Sequence, residues 1–194
     1  AHCRGRPIPD WRHAGATRGG SLLTTGHVII SHGLQSSPDS GKAIALSAAA
    51  QGLGWSHERP DFSDLDRIGE FGDVPARIDR LRQLARAVRG PLVLAGSSMG
   101  AFISARVSLD VPVLGLFLMA PPARLQQHDI SLEAAPVPTC IVHGWHDELI
   151  PANAVVQWAQ ARSDHLVLVN DSHRLAEHVD LCAGEFARFL QGLS

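Results

Sequence analysis

Pro91-Leu92-Val93-Leu94-Ala95 runs straight into Gly96-Ser97-Ser98-Met99-Gly100, and the chain from there to Leu109 is dominated by small residues. The first part reads as a buried strand and the last as a helix, with the pentapeptide G-x-S-x-G as the sharp turn between them. So tight a reversal holds its central residue in a strained conformation with the hydroxyl clear of the backbone. Glycines on either side remove the Cβ atoms that would clash in the bend. Ser98, rather than its neighbour Ser97, occupies the middle of the glycine frame and is the candidate nucleophile.

Strands and helices alternate on both sides of this turn. Upstream, His27-Val28-Ile29-Ile30-Ser31 is a short β-branched run, and Ser40 to Gln51 is alanine-rich and helical, closed by Gly52 and Gly54. Gly54 to Arg59 is a second strand supported mainly by Trp55. Asp73-Val74-Pro75 starts a helix with a capping carboxylate and a first-turn proline. Val74, Ile78, Leu81, Leu84 (or Ala85) and Val88 then recur at helical spacing until Gly90 and Pro91. Downstream, Val113 to Met119, Thr139 to His143 and His165 to Asn170 read as strands, and Ala152 to Ala161 and Val179 to Leu190 as amphipathic helices. Continuous apolar runs, rather than strict alternation, suit parallel strands buried on both faces. The expected architecture is a three-layer α/β/α domain around a mostly parallel six-stranded sheet with right-handed crossovers.

With 194 residues the chain is long enough for one such domain, expected to span residues 24–194. Residues 1–23 carry Arg4, Arg6, Arg12 and Arg18 among glycines and prolines without periodicity, and read as a poorly ordered extension lacking the apolar core of a secretory leader. A net charge of −2 gives no sign of a nucleic-acid or anionic-membrane surface. No apolar stretch approaches the roughly 18 residues needed to span a bilayer. Cys3, Cys140 and Cys182 are odd in number and far apart, which favours free thiols and a reducing, cytoplasmic setting.

In a parallel sheet the loops at the carboxyl ends of the strands gather along one edge, where sites form. Four of those loops carry conspicuous residues: Ser31 to Ser37, Ser98, Gly144-Trp145-His146-Asp147, and Asp171-Ser172-His173. The order is Ser, Asp, His. Taken with His32-Gly33, G-S-S-M-G, His143-Gly144-x-x-Asp147-x-x-Ile150-Pro151 and the late His173, the chain resembles a small serine hydrolase of the α/β-hydrolase superfamily from Thr24 to near its C-terminus. It departs from that pattern in two ways. The two strands that often open the fold are absent, and the segment from Met119 to Val137, with Pro121, Pro122 and Pro136, is too short for a cap domain.

The resemblance implies a triad of Ser98 as nucleophile, His173 as base and Asp147 as the orienting acid, with the backbone N–H groups of Leu34 and Met99 as oxyanion donors. The residue types demand as much. A serine hydroxyl needs a base within hydrogen-bond reach, and an imidazole whose ordinary pKa is about 6.5 can take the proton and return it to the leaving group. The expected substrate is a small or accessible carboxylic ester or thioester, and no cofactor or metal is implied. A peptidase or amidase on the same triad, or a non-catalytic interaction protein that keeps the fold, are the rivals; oligomeric state is not legible.

Several neighbours carry competing readings. Glu148, and more remotely Asp171, rival Asp147, but Asp171 is so near His173 in sequence that shaping its own loop is the better role. His178 rivals His173, and His32 reads as a structural loop residue bonded to backbone. His143, His146 and Asp147 lack the spacing of a metal site. Trp145, His146 and Phe102 either line the acyl pocket or simply pack. Arg59 and Asp61 read as a solvated loop or ion pair, with recognition of an acidic substrate group by Arg59 as the sharper alternative.

Overall fold

The computed structural model describes residues 25–68, 72–125 and 129–193, so the expected N-terminal extension lies outside the described residues. Eight strands and six helices follow in chain order: β1 (His27–Ser31), α1 (Gly41–Gly52), β2 (Ser56–Glu58), α2 (Ser63–Asp66), α3 (Val74–Ala87), β3 (Leu92–Ser97), α4 (Met99–Ser108), β4 (Gly115–Met119), β5 (Arg124–Leu125), β6 (Ile130–Ser131), β7 (Thr139–Gly144), α5 (Ala152–Arg162), β8 (His165–Val169) and α6 (Val179–Leu193). A 3₁₀ turn at Ala176–His178 precedes α6.

Six of the strands form one parallel sheet in the order β2-β1-β3-β4-β7-β8. Successive residues of a strand face opposite sides, and here each side has its own core. Ile29, Leu94, Leu116, Leu118 and Ile141 pack on one face with α3, α4 and α5. Val28, Ile30, Val93, Phe117 and Val142 pack on the other with α1 and α6. Both parities are apolar for that reason, and the strands read as unbroken hydrophobic runs. Each such side chain taken from water contributes about 1.5–3 kcal/mol before conformational entropy is set against it.

Local signals set the helix starts. The Ser40 side chain accepts the Ala43 N–H at 3.4 Å and that of Asp73 accepts the Ala76 N–H at 2.9 Å, each supplying an acceptor for an otherwise unpaired first-turn donor. Helix α3 stops at Ala87, short of the expected end near Gly90, because Val88 is already extended (ψ 132°). The expected second strand is only the three-residue β2 at the sheet edge, while Trp55 before it is buried in the core. Between β4 and β7, where a cap would be inserted, the described residues form only the two-residue antiparallel pair β5/β6. The fold is therefore the three-layer α/β/α arrangement without a cap domain.

Cys140 and Cys182 are free, buried thiols on the α1/α6 side of the sheet. Burial pushes them up to about 12 and about 11 respectively, so neither has thiolate character at neutral pH. Among the described residues no helix is long and apolar enough to cross a membrane.

Candidate active site

Strand β3 ends at Ser97, and Ser98 stands at φ 53° and ψ −118° before α4 begins. Its N–H donates to Met119 O at 2.8 Å and its carbonyl accepts the Phe102 N–H at 3.0 Å, so β4 and the new helix both pin the turn. The flanking glycines are required by contact. A Cβ on Gly96 would lie 2.3 Å from the Gly100 carbonyl carbon, and one on Gly100 would lie 2.0 Å from Ser31 O. The missing side chains let α4 rest against the end of β1.

Ser98 Oγ is 3.0 Å from His173 Nε2, and His173 Nδ1 is 2.8 Å from Asp147 Oδ2. Three residues from three different strand ends thus form one hydrogen-bonded chain. Gly144 permits the approach of the last two: a Cβ there would stand 2.4 Å from Asp171 O, so only a glycine lets the loop after β7 lie against the loop after β8. With Nδ1–H donated to the carboxylate, Nε2 is left to accept the serine hydroxyl.

The Asp147 carboxylate is wholly buried. Burial alone would push its pKa up, but hydrogen bonds from His173 and from the N–H groups of Ile150 (2.7 Å) and Leu149 (2.9 Å) outweigh it and hold the group below the usual carboxylate range. His143, also fully buried, donates Nε2–H to Ile150 O at 3.0 Å and lies 3.5 Å from Asp147 Oδ2, bracing the same loop from beneath. Burial holds His143 below the ordinary imidazole range, and hence neutral.

The rivals sort themselves by position. Glu148 is exposed and accepts the backbone N–H of His173 at 3.1 Å, so it steadies the histidine without touching its ring. Asp171 shapes its loop as expected, accepting from Ser172 N at 2.7 Å and Glu177 N at 3.0 Å and pairing with His178 Nδ1 at 3.0 Å. His178 is thereby committed elsewhere. His32 is buried between Gly33 O (Nδ1, 2.7 Å) and the Phe62 N–H (Nε2, 2.9 Å), with burial lowering its pKa. Phe102 is core packing and not pocket lining, being fully buried on the α3/α4 side. His146 is exposed and meets Asn170 Oδ1 at 2.8 Å, and Trp145 is half-exposed. Arg59 lies 3.5 Å from Asp39, a surface ion pair.

No hydrogen bond among the described residues occupies the N–H of Leu34 or of Met99. Met99 opens α4, where backbone N–H groups lack intrahelical partners and the helix dipole favours negative charge. Two features escaped the sequence reading. Lys42, at the start of α1, donates to Arg174 O at 2.5 Å, beside His173. Arg77 and Asp66 form a buried ion pair beneath the Leu34 loop. Arg77 sits three residues after Val74 and four before Leu81, an arginine inside an apolar stripe; that was the available signal.

A groove of about 1010 Å³ lies at the opposite, amino-terminal edge of the sheet, lined among others by Pro138, His165, Arg188 and Phe189. None of Ser98, Asp147 and His173 lines it. Those three residues lie on the other rim, at the carboxyl ends of β3, β7 and β8.

Among solved structures the chain is similar to a protein of the alpha/beta hydrolase superfamily from Xanthomonas campestris pv. campestris, at 53% identity and a TM-score of 0.84, covering 86% of this chain and 99% of that one. An alpha-beta serine hydrolase homologue from Coxiella burnetii matches at 25% identity and a TM-score of 0.69, over 90% and 89% of the two chains. A serine hydrolase without lid, also from Xanthomonas campestris, shares the fold at 22% identity and a TM-score of 0.67, over 84% and 81%. No family model and no curated protein matches the chain. It belongs to the α/β-hydrolase superfamily, and by fold and kinship it is a hydrolase.

Proposed function

We propose that the protein is a serine hydrolase that cleaves small or accessible carboxylic esters or thioesters through an acyl-enzyme. The observation that carries this reading is the chain Ser98 Oγ–His173 Nε2–Asp147, at 3.0 and 2.8 Å. His173 takes the hydroxyl proton as Ser98 Oγ attacks the acyl carbon, and Asp147 stabilises the imidazolium that forms. The tetrahedral oxyanion is met by the N–H groups of Leu34 and Met99; losing one such donor typically costs about 3–4 kcal/mol of barrier. Collapse returns the proton from His173 to the departing alcohol or thiol. Water then attacks the acyl-serine, with His173 again as base, releasing the carboxylic acid and restoring the Ser98 hydroxyl.

Accessibility of the substrate follows from the surroundings. Among the described residues no cap domain is inserted between β4 and β7, and the exposed Trp145 and Leu149 on the loop carrying Asp147 offer apolar surface. A series of p-nitrophenyl esters of increasing acyl length tests this, with kcat/KM expected to be highest for short chains. A steady rise toward long chains would contradict the open site. A fluorophosphonate probe tests the nucleophile: stoichiometric labelling is expected in the folded protein and none in Ser98→Ala. Failure to label folded wild-type protein at neutral pH would instead favour a non-catalytic interaction module.

A further inference from the structure

We propose that Arg77, with Asp66 as its counter-charge, fixes and polarises the loop His32–Gln35 so that the Leu34 N–H becomes a stronger oxyanion donor than an ordinary backbone amide. The inference rests on the triad reading above and deepens it.

Arg77 is fully buried, and among the described residues no larger side chain is buried as completely. Its Nε donates to Asp66 Oδ1 at 2.7 Å, while its two terminal nitrogens donate to His32 O and Gly33 O, each at 3.2 Å. The other Asp66 oxygen accepts the Gln35 N–H at 3.0 Å. The pair therefore grips the loop at residues 32, 33 and 35. Leu34 is left between the grips, with its N–H unused among the described residues. Phe62 closes the underside, its ring 4.9 Å from the guanidinium.

The polarisation comes from the bonding of one peptide unit. The Gly33 carbonyl and the Leu34 N–H are the two ends of a single amide. That carbonyl accepts from the Arg77 guanidinium and also from His32 Nδ1 at 2.7 Å, since Nε2 is engaged by the Phe62 N–H and the ring proton is thereby placed on Nδ1. Two donors on the oxygen, one of them cationic, draw electron density through the amide and strengthen its N–H as a donor, the cooperativity expected of linked hydrogen bonds in a dry interior. A buried ion pair is a poor source of net stability. Its placement under the loop that carries the Leu34 donor is accounted for by positioning.

The test compares Arg77→Lys and the paired replacement Arg77→Met with Asp66→Leu against wild type. The paired change removes both charges together, a replacement often tolerated where breaking half of a pair is not. For folded variants we expect kcat on p-nitrophenyl acetate to fall about tenfold or more, short of the 10²–10³ that follows loss of a whole donor. KM should stay within about twofold, the mark of an interaction made in the transition state. Affinity for a trifluoromethyl ketone should fall by the same factor as kcat, and the acid limb of the pH profile should not move. A folded variant with wild-type kcat and wild-type ketone affinity would overturn the proposal. If Arg77→Lys does not fold, the paired variant decides. Collapse of both would mark the pair as general core support and would also overturn the role. Absence of turnover in wild type defeats the triad reading itself, whereas active wild type with unaffected variants defeats this inference alone.

Discussion

Ser98 occupies a backbone conformation, φ 53° and ψ −118°, that side-chain-bearing residues rarely adopt. Strain of this kind is worth about 1–3 kcal/mol and persists only when the surroundings enforce it. Ser98→Gly should therefore be more stable than Ser98→Ala by about 1–2 kcal/mol while being equally inactive, as read from urea midpoints. Equal midpoints would mean that the turn is not strained. Asp147 governs the tautomer of His173, so Asp147→Asn should lower kcat by as much as about 10⁴ with the fold intact, measured by turnover and circular dichroism. Glu148→Gln should be mild by comparison, because the Glu148 carboxylate meets His173 at its backbone N–H and not at its ring. At this scale the meeting of Ser98, His173 and Asp147 was legible, since each of them sits in a loop after a readable strand. Arg77 and Asp66 were not, because a helical stripe reports which face is buried and not that a guanidinium on it finds a carboxylate and two carbonyls.

Among the elements, the sheet was the easiest to read. Strands β1, β3, β4 and β7 carry apolar residues on both faces because each face of the sheet has its own helical layer. Their boundaries were less legible. Helix α3 ends before its periodicity does, and β2 at the sheet edge keeps only three paired residues. Helix α2 and the β5/β6 pair were missed; both are too short to show a period. The close approach of α4 to β1 gives a prediction at this scale. Gly100→Ala would drive a Cβ to 2.0 Å from Ser31 O, and because backbone cannot yield as a side chain does, destabilisation of about 3 kcal/mol or more is expected in thermal or urea unfolding. A change below about 0.5 kcal/mol would show that α4 does not bear on the strand.

For the molecule as a whole, acid should weaken the fold in two stages. Burial holds His32 and His143 below the ordinary imidazole range. The unfolded chain takes up protons on these rings below about pH 6.5 that the folded chain refuses, so stability is level above that point and falls as pH drops through it. Burial opposes the ionisation of Asp147 and Asp171, but their hydrogen bonds prevail and hold both below the usual carboxylate range. Their contribution is intact above about pH 4 and is lost as pH falls through their folded values. The urea midpoint should thus be lower at about pH 5.5 than at about pH 7.5, and His143→Asn should flatten that difference if it folds. A midpoint that holds or rises on acidification would contradict the burial of neutral imidazoles.

The claim on which the functional account stands is that a serine made reactive by a distant imidazole and carboxylate carries the acyl group between substrate and water. Rapid quenching of the wild-type protein with p-nitrophenyl acetate, followed by peptide mass mapping, tests it most directly. An acetyl group is expected on the peptide containing Ser98, formed with a burst of p-nitrophenol and lost on further incubation. Hydrolysis that proceeds with no acylated peptide, or with the acetyl group on another residue, would contradict it.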